Sequence, residues 1–290
     1  MRTLCFVLLV LAVISLYFIV PLVKMNTTPI YRQVNRINKR VAITISGQLR
    51  QYRIGLESLQ KFILPYANCD LFLAVDDQPP PGREEILKTY SPIAVHFGIP
   101  RTIDQRLAKI CQNPNMARMF YRIHAVNNLK CAYERSNGFT YDFVIRLRPD
   151  IILLEPLDFE RISSEDVLTL PQLSFIHDSF TGYQDQIAIG PSAIMDIYSN
   201  IYHAYIEQSC LSDGYITPER FLRYYLDLNN VRIHRFSLRW RIADFTVDSI
   251  GKIPFILKKL YMKQGYMSDI TKYAQKNLSW KKQVNGVGAI

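Results

Sequence analysis

Short apolar runs separated by polar segments recur through the middle of the chain and predict buried strands. The first such run, residues 41–45, is rich in β-branched residues and stops at a Ser-Gly pair. Short apolar runs bounded by Gly, Pro or Asp are typical of strands buried on both faces. The same pattern predicts further strands at residues 70–75, 93–97, 143–148, 186–189 and 231–236.

Apolar residues spaced three and four apart predict helices between these strands. One stripe consists of Met119, Ile123, Val126, Leu129 and Tyr133, and a second, opened by Pro191, consists of Ile194, Tyr198, Ile201 and Tyr205. Thr217 followed by Pro218 predicts the N-cap and first residue of another helix. Strands that alternate with helices indicate an α/β fold with a mostly parallel central sheet and helices on both faces.

Residues 4–23 contain no charged side chain and predict one membrane-spanning helix. Twenty helical residues span about 30 Å, the thickness of the hydrocarbon core. A cleaved signal peptide is the alternative, but the run is long and no small-x-small site follows it. We therefore divide the chain into an anchor (1–23), a basic stem (24–40), an α/β domain (41–251) and a Lys-rich extension (252–290).

The formal net charge of +10 comes from segments outside the α/β domain. The stem carries +5, the extension carries +7 and Arg2 adds one, which leaves −3 for residues 41–251. A nucleic-acid-binding protein places basic charge on its folded body, so we expect no nucleic-acid partner. The basic stem favours a cytoplasmic body, whereas glycosylation sequons at Asn26 and Asn277 favour a lumenal one.

Candidate binding residues follow the first predicted strand, because ligands of open α/β sheets lie beyond the carboxyl ends of the strands. The glycine in this turn permits close approach of a ligand, and the arginine can pair with a phosphate. An ordinary strand-to-helix turn with a surface arginine is the alternative. The candidates are Ser46, Gly47, Gln48 and Arg50.

The segment 142–150 carries the strongest local signal. Strand periodicity places Arg146, Arg148 and Asp150 on one face, and Pro149 ends the strand so that Asp150 lies at its carboxyl edge. Arginines in a central strand are costly unless each finds an anion. The anion is either a ligand or, in the alternative interpretation, an internal carboxylate of an ion-pair network.

Two further carboxylates are candidates for catalysis. Asp185 opens a predicted strand and is suited to act as a general base, although strand-start turns also favour Asp. Glu219 lies in the first turn of a predicted helix, where a carboxylate also favours the helix dipole. Residues 41–251 lack the sequence motifs of P-loop NTPases, dinucleotide-binding oxidoreductases, zinc proteases and serine hydrolases. Four cysteines of the body allow three disulfide pairings in a lumenal compartment: Cys69, Cys111, Cys131 and Cys210.

Four segments taken in order resemble a group of glycosyltransferase-like proteins related to the GT-A fold. They are residues 45–50 (ISGQLR), 142–150 (DFVIRLRPD), 185–190 (DQIAIG) and 218–222 (PERFL). The resemblance covers about residues 41–240. It implies a nucleotide-sugar donor, with residues 46–50 near the nucleotide and Asp150 near the diphosphate. An anchor, stem and lumenal domain are also similar to a Golgi type II glycosyltransferase.

The same resemblance implies Mn²⁺ or Mg²⁺, which GT-A enzymes hold with an Asp-x-Asp pair. This sequence has no Asp-x-Asp, so Asp150 alone or the adjacent Asp76 and Asp77 would have to substitute. Arg146 and Arg148 are an alternative, because arginine neutralises phosphate oxygens directly.

The sequence thus predicts a membrane-anchored glycosyltransferase acting on a glycan or glycoprotein hydroxyl. Its candidate catalytic residues are Asp185, Asp150 and Glu219. Its partners are the donor, the acceptor and the bilayer through residues 4–23. Two alternatives stay open: an inactive membrane-tethered binding or scaffold protein of the same fold, and an enzyme whose body faces the cytoplasm.

Overall fold

The computed structural model describes residues 34–77, 82–162, 167–171, 182–208 and 217–242. The strands in these ranges are β1 (Arg40–Gly47), β2 (Asn68–Val75), β3 (Ala94–Phe97), β4 (Phe143–Leu147), β5 (Ile151–Leu153), β6 (Val167–Pro171), β7 (Ile187–Gly190), β8 (Arg232–Phe236) and β9 (Trp240–Ile242). The helices are α1 (Tyr52–Phe62), α2 (Arg83–Tyr90), α3 (Arg101–Ile110), α4 (Pro114–Asn137), α5 (Ser192–Ser199), α6 (Ile201–Gln208) and α7 (Pro218–Leu228). Short 3₁₀ turns occur at Leu64–Tyr66 and Phe159–Arg161.

Seven strands form one sheet in the order β3-β2-β1-β4-β7-β6-β8. Parallel pairing joins β3, β2, β1 and β4, and it also joins β6 to β8. β7 runs antiparallel to both of its neighbours, β4 and β6. Strands β5 and β9 form a separate antiparallel pair. The prediction of a mostly parallel α/β sheet is confirmed, and the antiparallel insertion is an addition to it.

Helices pack on both faces of the sheet. On one face, Ala42 and Val144 join Phe120 and Val126 of α4 in the main hydrophobic cluster. On the other face, Ile45 and Leu147 line a small cavity together with Leu56 and Leu59 of α1. The alternation of side chains along β1 and β4 therefore assigns one set of residues to each layer.

The helix predicted after Pro191 is divided into two. α5 ends at Ser199, Asn200 interrupts the helix, and α6 begins at Ile201. The apolar stripe continues across the break, because Ile194, Tyr198, Ile201 and Tyr205 are all buried in the same cluster. The start of α7 is as predicted: Pro218 is its first residue and the Thr217 side chain accepts a hydrogen bond from the Arg220 amide.

The proposed anchor at 4–23, and the extension at 252–290, lie outside the described residues. Within the ranges that are described, no helix is long and apolar enough to cross a bilayer. Residues 34–39 of the proposed stem have no helix or strand, and β1 begins at Arg40.

Gly55 brings α1 into direct contact with the turn that follows β4. A methyl group at Gly55 would overlap the carbonyl oxygen of Pro149 and crowd that of Ile151. We therefore expect Gly55→Ala to lower the free energy of unfolding by at least about 2 kcal/mol, measured by urea denaturation. Gly82→Ala is the matched control, because no atom lies within 4 Å of the added methyl, and it should change stability by less than about 1 kcal/mol. Equal stability of the two variants would show that the α1 contact tolerates a side chain.

Candidate anion-binding cleft

A cleft of about 1010 Å³ opens at the carboxyl ends of β1, β2 and β4. The chain leaves β1 toward β2 on one side, while β4 pairs with β1 on the other, so the strand order reverses here. Such a reversal is where open α/β sheets bind ligands. The lining comprises Ser46, Gly47, Gln48, Arg50, Asp76, Asp77, Phe97, Gly98, Ile99, Pro100, Asp104, Asn115, Arg118, Met119, Arg122, Arg146 and Arg148.

The lining contains five arginines and three aspartates, and is therefore positive by two charges. Each aspartate is paired with an arginine: Asp76 with Arg122, Asp77 with Arg83, and Asp104 with Arg118. Hydrogen bonds from Arg83 and Arg118 lower the pKa of Asp77 and Asp104, respectively, below the ordinary value. These carboxylates are consequently ionised at neutral pH, and the excess charge available to a ligand is positive.

Arg146 is the most unusual residue of the cleft. It lies on β4 beside Thr44 of β1, and only 1% of its surface is exposed. None of its three guanidinium nitrogens has a hydrogen-bond partner among the described residues. A buried cation without an anion is strongly unfavourable. Its position on the lining of an open cleft means that an anionic ligand there would supply the missing partner.

The end of β1 adds further polar groups. Ser46 is 1% exposed, and its hydroxyl has no hydrogen-bond partner in the described part of the chain. Gly47 has φ of 141°, and a Cβ there would lie 3.2 Å from Cδ of Pro149, so only glycine fits this position without strain. Gln48 and Arg50 follow on the exposed rim. The structure therefore brings the four candidate residues at and just beyond the end of β1 into the same cleft as Arg146.

Arg148 and Asp150 form a bidentate ion pair. Arg148 donates from Nε to Oδ1 of Asp150 at 2.9 Å and from Nη2 to Oδ2 at 2.6 Å. Arg148 is partly exposed and lines the cleft, whereas Asp150 is 2% exposed and is not part of the lining. The Asp150 carboxylate thus orients Arg148 toward the cleft. The sequence offered two interpretations of the arginines in residues 142–150, a ligand contact and an internal ion pair. Arg148 fits both, because it lines the cleft and is paired with Asp150.

The carboxylates near the cleft do not fit a divalent metal ion. In the described ranges, no group of three or more His, Cys, Asp or Glu side chains is arranged to hold one. Asp76, Asp77 and Asp150, the candidate ligands, each have an arginine as their partner. Mg²⁺ and Mn²⁺ prefer carboxylate oxygens that face the ion. We therefore derive no chemical step through a metal.

Asp185 is buried and does not line the cleft. It is 3% exposed, and its Oδ1 has no hydrogen-bond partner in the described ranges. Burial raises the pKa of Tyr198 to about 12. The positive charge of Arg146 partly offsets this rise, and the negative charge of Asp185 adds to it. Tyr198 therefore lies within electrostatic range of both Arg146 and Asp185. Since Asp185 does not line the cleft, it is not placed to deprotonate a hydroxyl there.

Glu219 is also absent from the lining. Its backbone carbonyl accepts a hydrogen bond from the Tyr183 amide at 2.9 Å. Its backbone and Cβ lie so close to Gly182 that a side chain at Gly182 would overlap them. The described contacts of Glu219 join the start of α7 to the segment before β7.

Three cleft residues on α4 were not among the predicted candidates. Asn115, Arg118 and Arg122 are spaced three and four apart, which places them on one face of α4, and all three line the cleft. That polar spacing at the start of the predicted apolar stripe was the available signal. Arg122 is well buried and has an Nε without a partner in the described residues.

No protein-family model matches this chain, and no curated protein matches it.

Proposed function

We propose that the protein is a membrane-anchored glycosyltransferase that binds the diphosphate of a nucleotide sugar in this cleft. The observation that carries the proposal is Arg146, a buried guanidinium that has no hydrogen-bond partner among the described residues and lies at the edge of a positively charged cleft. A nucleotide sugar supplies two adjacent phosphate charges, and arginine binds phosphate oxygens with charge-assisted hydrogen bonds. The resemblance of the segments around Arg50, Arg146 and Asp185 to glycosyltransferase-like proteins supports the sugar as the transferred group.

The residues that line the cleft suit stabilisation of a departing diphosphate. In the transfer, the bond between the sugar C1 and the diphosphate oxygen breaks and its electron pair stays on the diphosphate. The acceptor hydroxyl oxygen forms the new bond to C1 and releases its proton to the surrounding water. Arg146, and Arg148 held by Asp150, provide fixed positive charge where negative charge develops, which is the most effective form of such catalysis. Ser46, Gly47, Gln48 and Arg50 line the same cleft, and in this proposal they contact the nucleotide.

This proposal assigns no general base. Asp185 and Glu219 do not line the cleft, and the three aspartates that do are paired with arginines. The same fact favours the second candidate function, a nucleotide-binding scaffold without turnover, because proton removal from an acceptor needs an available base.

A lumenal body agrees with the cysteine chemistry. Cys111 is disulfide-bonded, whereas Cys69 and Cys131 are free. Disulfides persist in oxidising compartments and are rare in the cytosol. We therefore propose a single-pass protein of the Golgi or endoplasmic reticulum with a lumenal body. A glycan or glycoprotein would be the acceptor there.

The test is a turnover assay of the full-length protein in detergent with a panel of nucleotide sugars and glycan acceptors. We expect turnover with one donor, and a loss of about 10²-fold in kcat for Asp150→Asn, because Arg148 is then no longer held in place. The matched control is Asp227→Asn, which removes a remote pair with Arg223 on α7. It should leave kcat unchanged.

The outcomes separate the two candidate functions. Donor binding without turnover would support the scaffold and contradict the enzyme. Absence of donor binding by the folded protein would contradict both. Equal effects of Asp150→Asn and Asp227→Asn on kcat would remove the assigned role of Asp150.

A further inference from the structure

Two histidines far apart in the sequence meet between α4 and α6. The Nε2 atoms of His124 and His203 lie 3.3 Å apart, and the two rings are nearly perpendicular with centroids 4.5 Å apart. Two Nε2 atoms that face each other need something positive between them, either a proton on one ring or a metal ion. In a tetrahedral zinc site with Zn–N bonds of about 2.05 Å, adjacent nitrogens lie about 3.3 Å apart.

The orientation of His124 is fixed by its surroundings. The ring is half-buried, stacks on Tyr202 with centroids 5.8 Å apart, and hydrogen-bonds the backbone of Ser199. Because Nε2 faces His203, Nδ1 is the ring nitrogen left to donate to Ser199. Metal-binding histidines characteristically donate their second ring nitrogen to a backbone carbonyl or carboxylate, which leaves the other nitrogen as the ligand.

Asn128, one helical turn after His124, supplies a third donor. The end of its side-chain amide lies 2.9 Å from Nε2 of His124. The oxygen and nitrogen of an amide are assigned from the hydrogen-bond pattern, and a half-turn of this amide places its oxygen at the same point. A separation of 2.9 Å corresponds to a coordination angle of about 90° when the bonds are about 2.05 Å long, which is narrower than the tetrahedral angle and fits the five-coordinate geometry that zinc with open positions also adopts.

We propose that His124, His203 and Asn128 bind a divalent transition-metal ion of the borderline class, with Zn²⁺ as the preferred ion. Imidazole nitrogens favour Zn²⁺, Cu²⁺ and Ni²⁺ over Mg²⁺ and Ca²⁺. Water completes the coordination, since His203 and Asn128 are exposed. None of the three side chains lines the anion-binding cleft, so this site is separate from the proposed donor site.

The ion would join two helices that position other functional groups. α4 carries Arg118 and Arg122 of the cleft. α6 follows directly on α5, whose Asp196 forms an ion pair with Lys130 of α4. A ligand that binds only the folded state stabilises it according to its concentration and affinity. Zn²⁺ would therefore stabilise the packing of α4 against α6 at the surface of the domain.

The experiment is calorimetric titration of ZnCl₂ into the full-length protein in detergent, with variants His203→Ala and Asn128→Ala. We expect one equivalent to bind to the wild type, and binding at least about tenfold weaker in His203→Ala, because even the loss of an outer-shell partner costs about 10- to 100-fold. His234→Ala is the matched control, an exposed histidine on β8. It should bind like the wild type.

A spectroscopic measurement distinguishes this site from unspecific metal binding. Electron paramagnetic resonance of one equivalent of Cu²⁺ should show two coordinated imidazole nitrogens in the wild type and one in His203→Ala. An unchanged spectrum in His203→Ala, or Zn²⁺ affinity that is the same in His203→Ala and His234→Ala, would overturn the proposal. The pair would then be an ordinary imidazole hydrogen bond.

Discussion

Lys130→Met is expected to lower the free energy of unfolding by about 3–5 kcal/mol, the usual cost of removing one partner from a buried ion pair. Lys130 lies on α4 with its side chain fully buried. Its ammonium group contacts Glu134 at 3.1 Å and Asp196 at 2.7 Å, and it donates a hydrogen bond to Ser192. Methionine has a similar shape but cannot neutralise the two carboxylates.

The neighbours of Lys130 explain the size of this effect. Glu134 also accepts hydrogen bonds from the Tyr141 amide and from the Ser192 hydroxyl. Asp196 also accepts one from Asn127. The network thus ties α4 to α5 and to the start of β4, and α4 in turn holds the arginines on one side of the cleft.

Urea denaturation of the full-length protein measures the change. Lys109→Met is the matched control, because Lys109 is exposed on α3, and it should alter stability by no more than about 0.5 kcal/mol. A loss below about 1 kcal/mol for Lys130→Met would contradict the assignment of a buried charge network.

The pH dependence provides a second readout of the same network. Burial lowers the pKa of Lys130, but the hydrogen bond and charge of Asp196, together with the effects of Cys131 and Glu134, outweigh it, so the pKa lies above the ordinary value of 10.5. A group with a raised folded-state pKa stabilises the fold fully below its ordinary pKa and loses that effect as the pH rises through the folded value. The stability difference between wild type and Lys130→Met should therefore shrink in strongly alkaline buffer.

Arg146→Met is expected to have opposite effects on stability and on ligand binding. It removes a buried charge that has no partner among the described residues, so the ligand-free protein should be unchanged or up to about 4 kcal/mol more stable. It also removes the proposed charge-assisted contact to a diphosphate, so nucleoside diphosphate affinity should fall at least about 30-fold, which corresponds to about 2 kcal/mol.

The combination distinguishes a ligand-binding arginine from a structural one. Thermal unfolding and calorimetric titration with UDP, GDP and CDP measure the two effects on the same samples. Arg101→Met, at an exposed position on α3 outside the lining, should change neither quantity. If Arg146→Met destabilises the protein and leaves nucleotide affinity intact, Arg146 is paired with Asp185 in solution and serves the fold.

Local patterns predicted the elements that carry the cleft. The β-branched run ending at Ser46 and the alternation through Arg146 and Arg148 identified β1, β4 and the side chains at the end of β4 that line the cleft. Thr217 and Pro218 identified the start of α7, since capping depends on neighbouring residues only. These features depend on residues within a few positions of each other, which a sequence displays directly.

Contacts between distant segments could not be predicted in the same way. β7 is short and apolar, and nothing in its sequence indicates that it runs antiparallel between β4 and β6. His124 and His203 are separated by 79 positions, and only the packing of α4 on α6 brings them together.

The central claim is that Arg146 meets its anion in the cleft, and a crystal structure of the full-length protein with its best-binding nucleoside diphosphate tests it most directly. We predict phosphate oxygens within about 3 Å of the Arg146 guanidinium, the distance of a charge-assisted hydrogen bond. A diphosphate bound elsewhere, or a cleft that stays empty while Arg146 is paired with Asp185, would contradict the account.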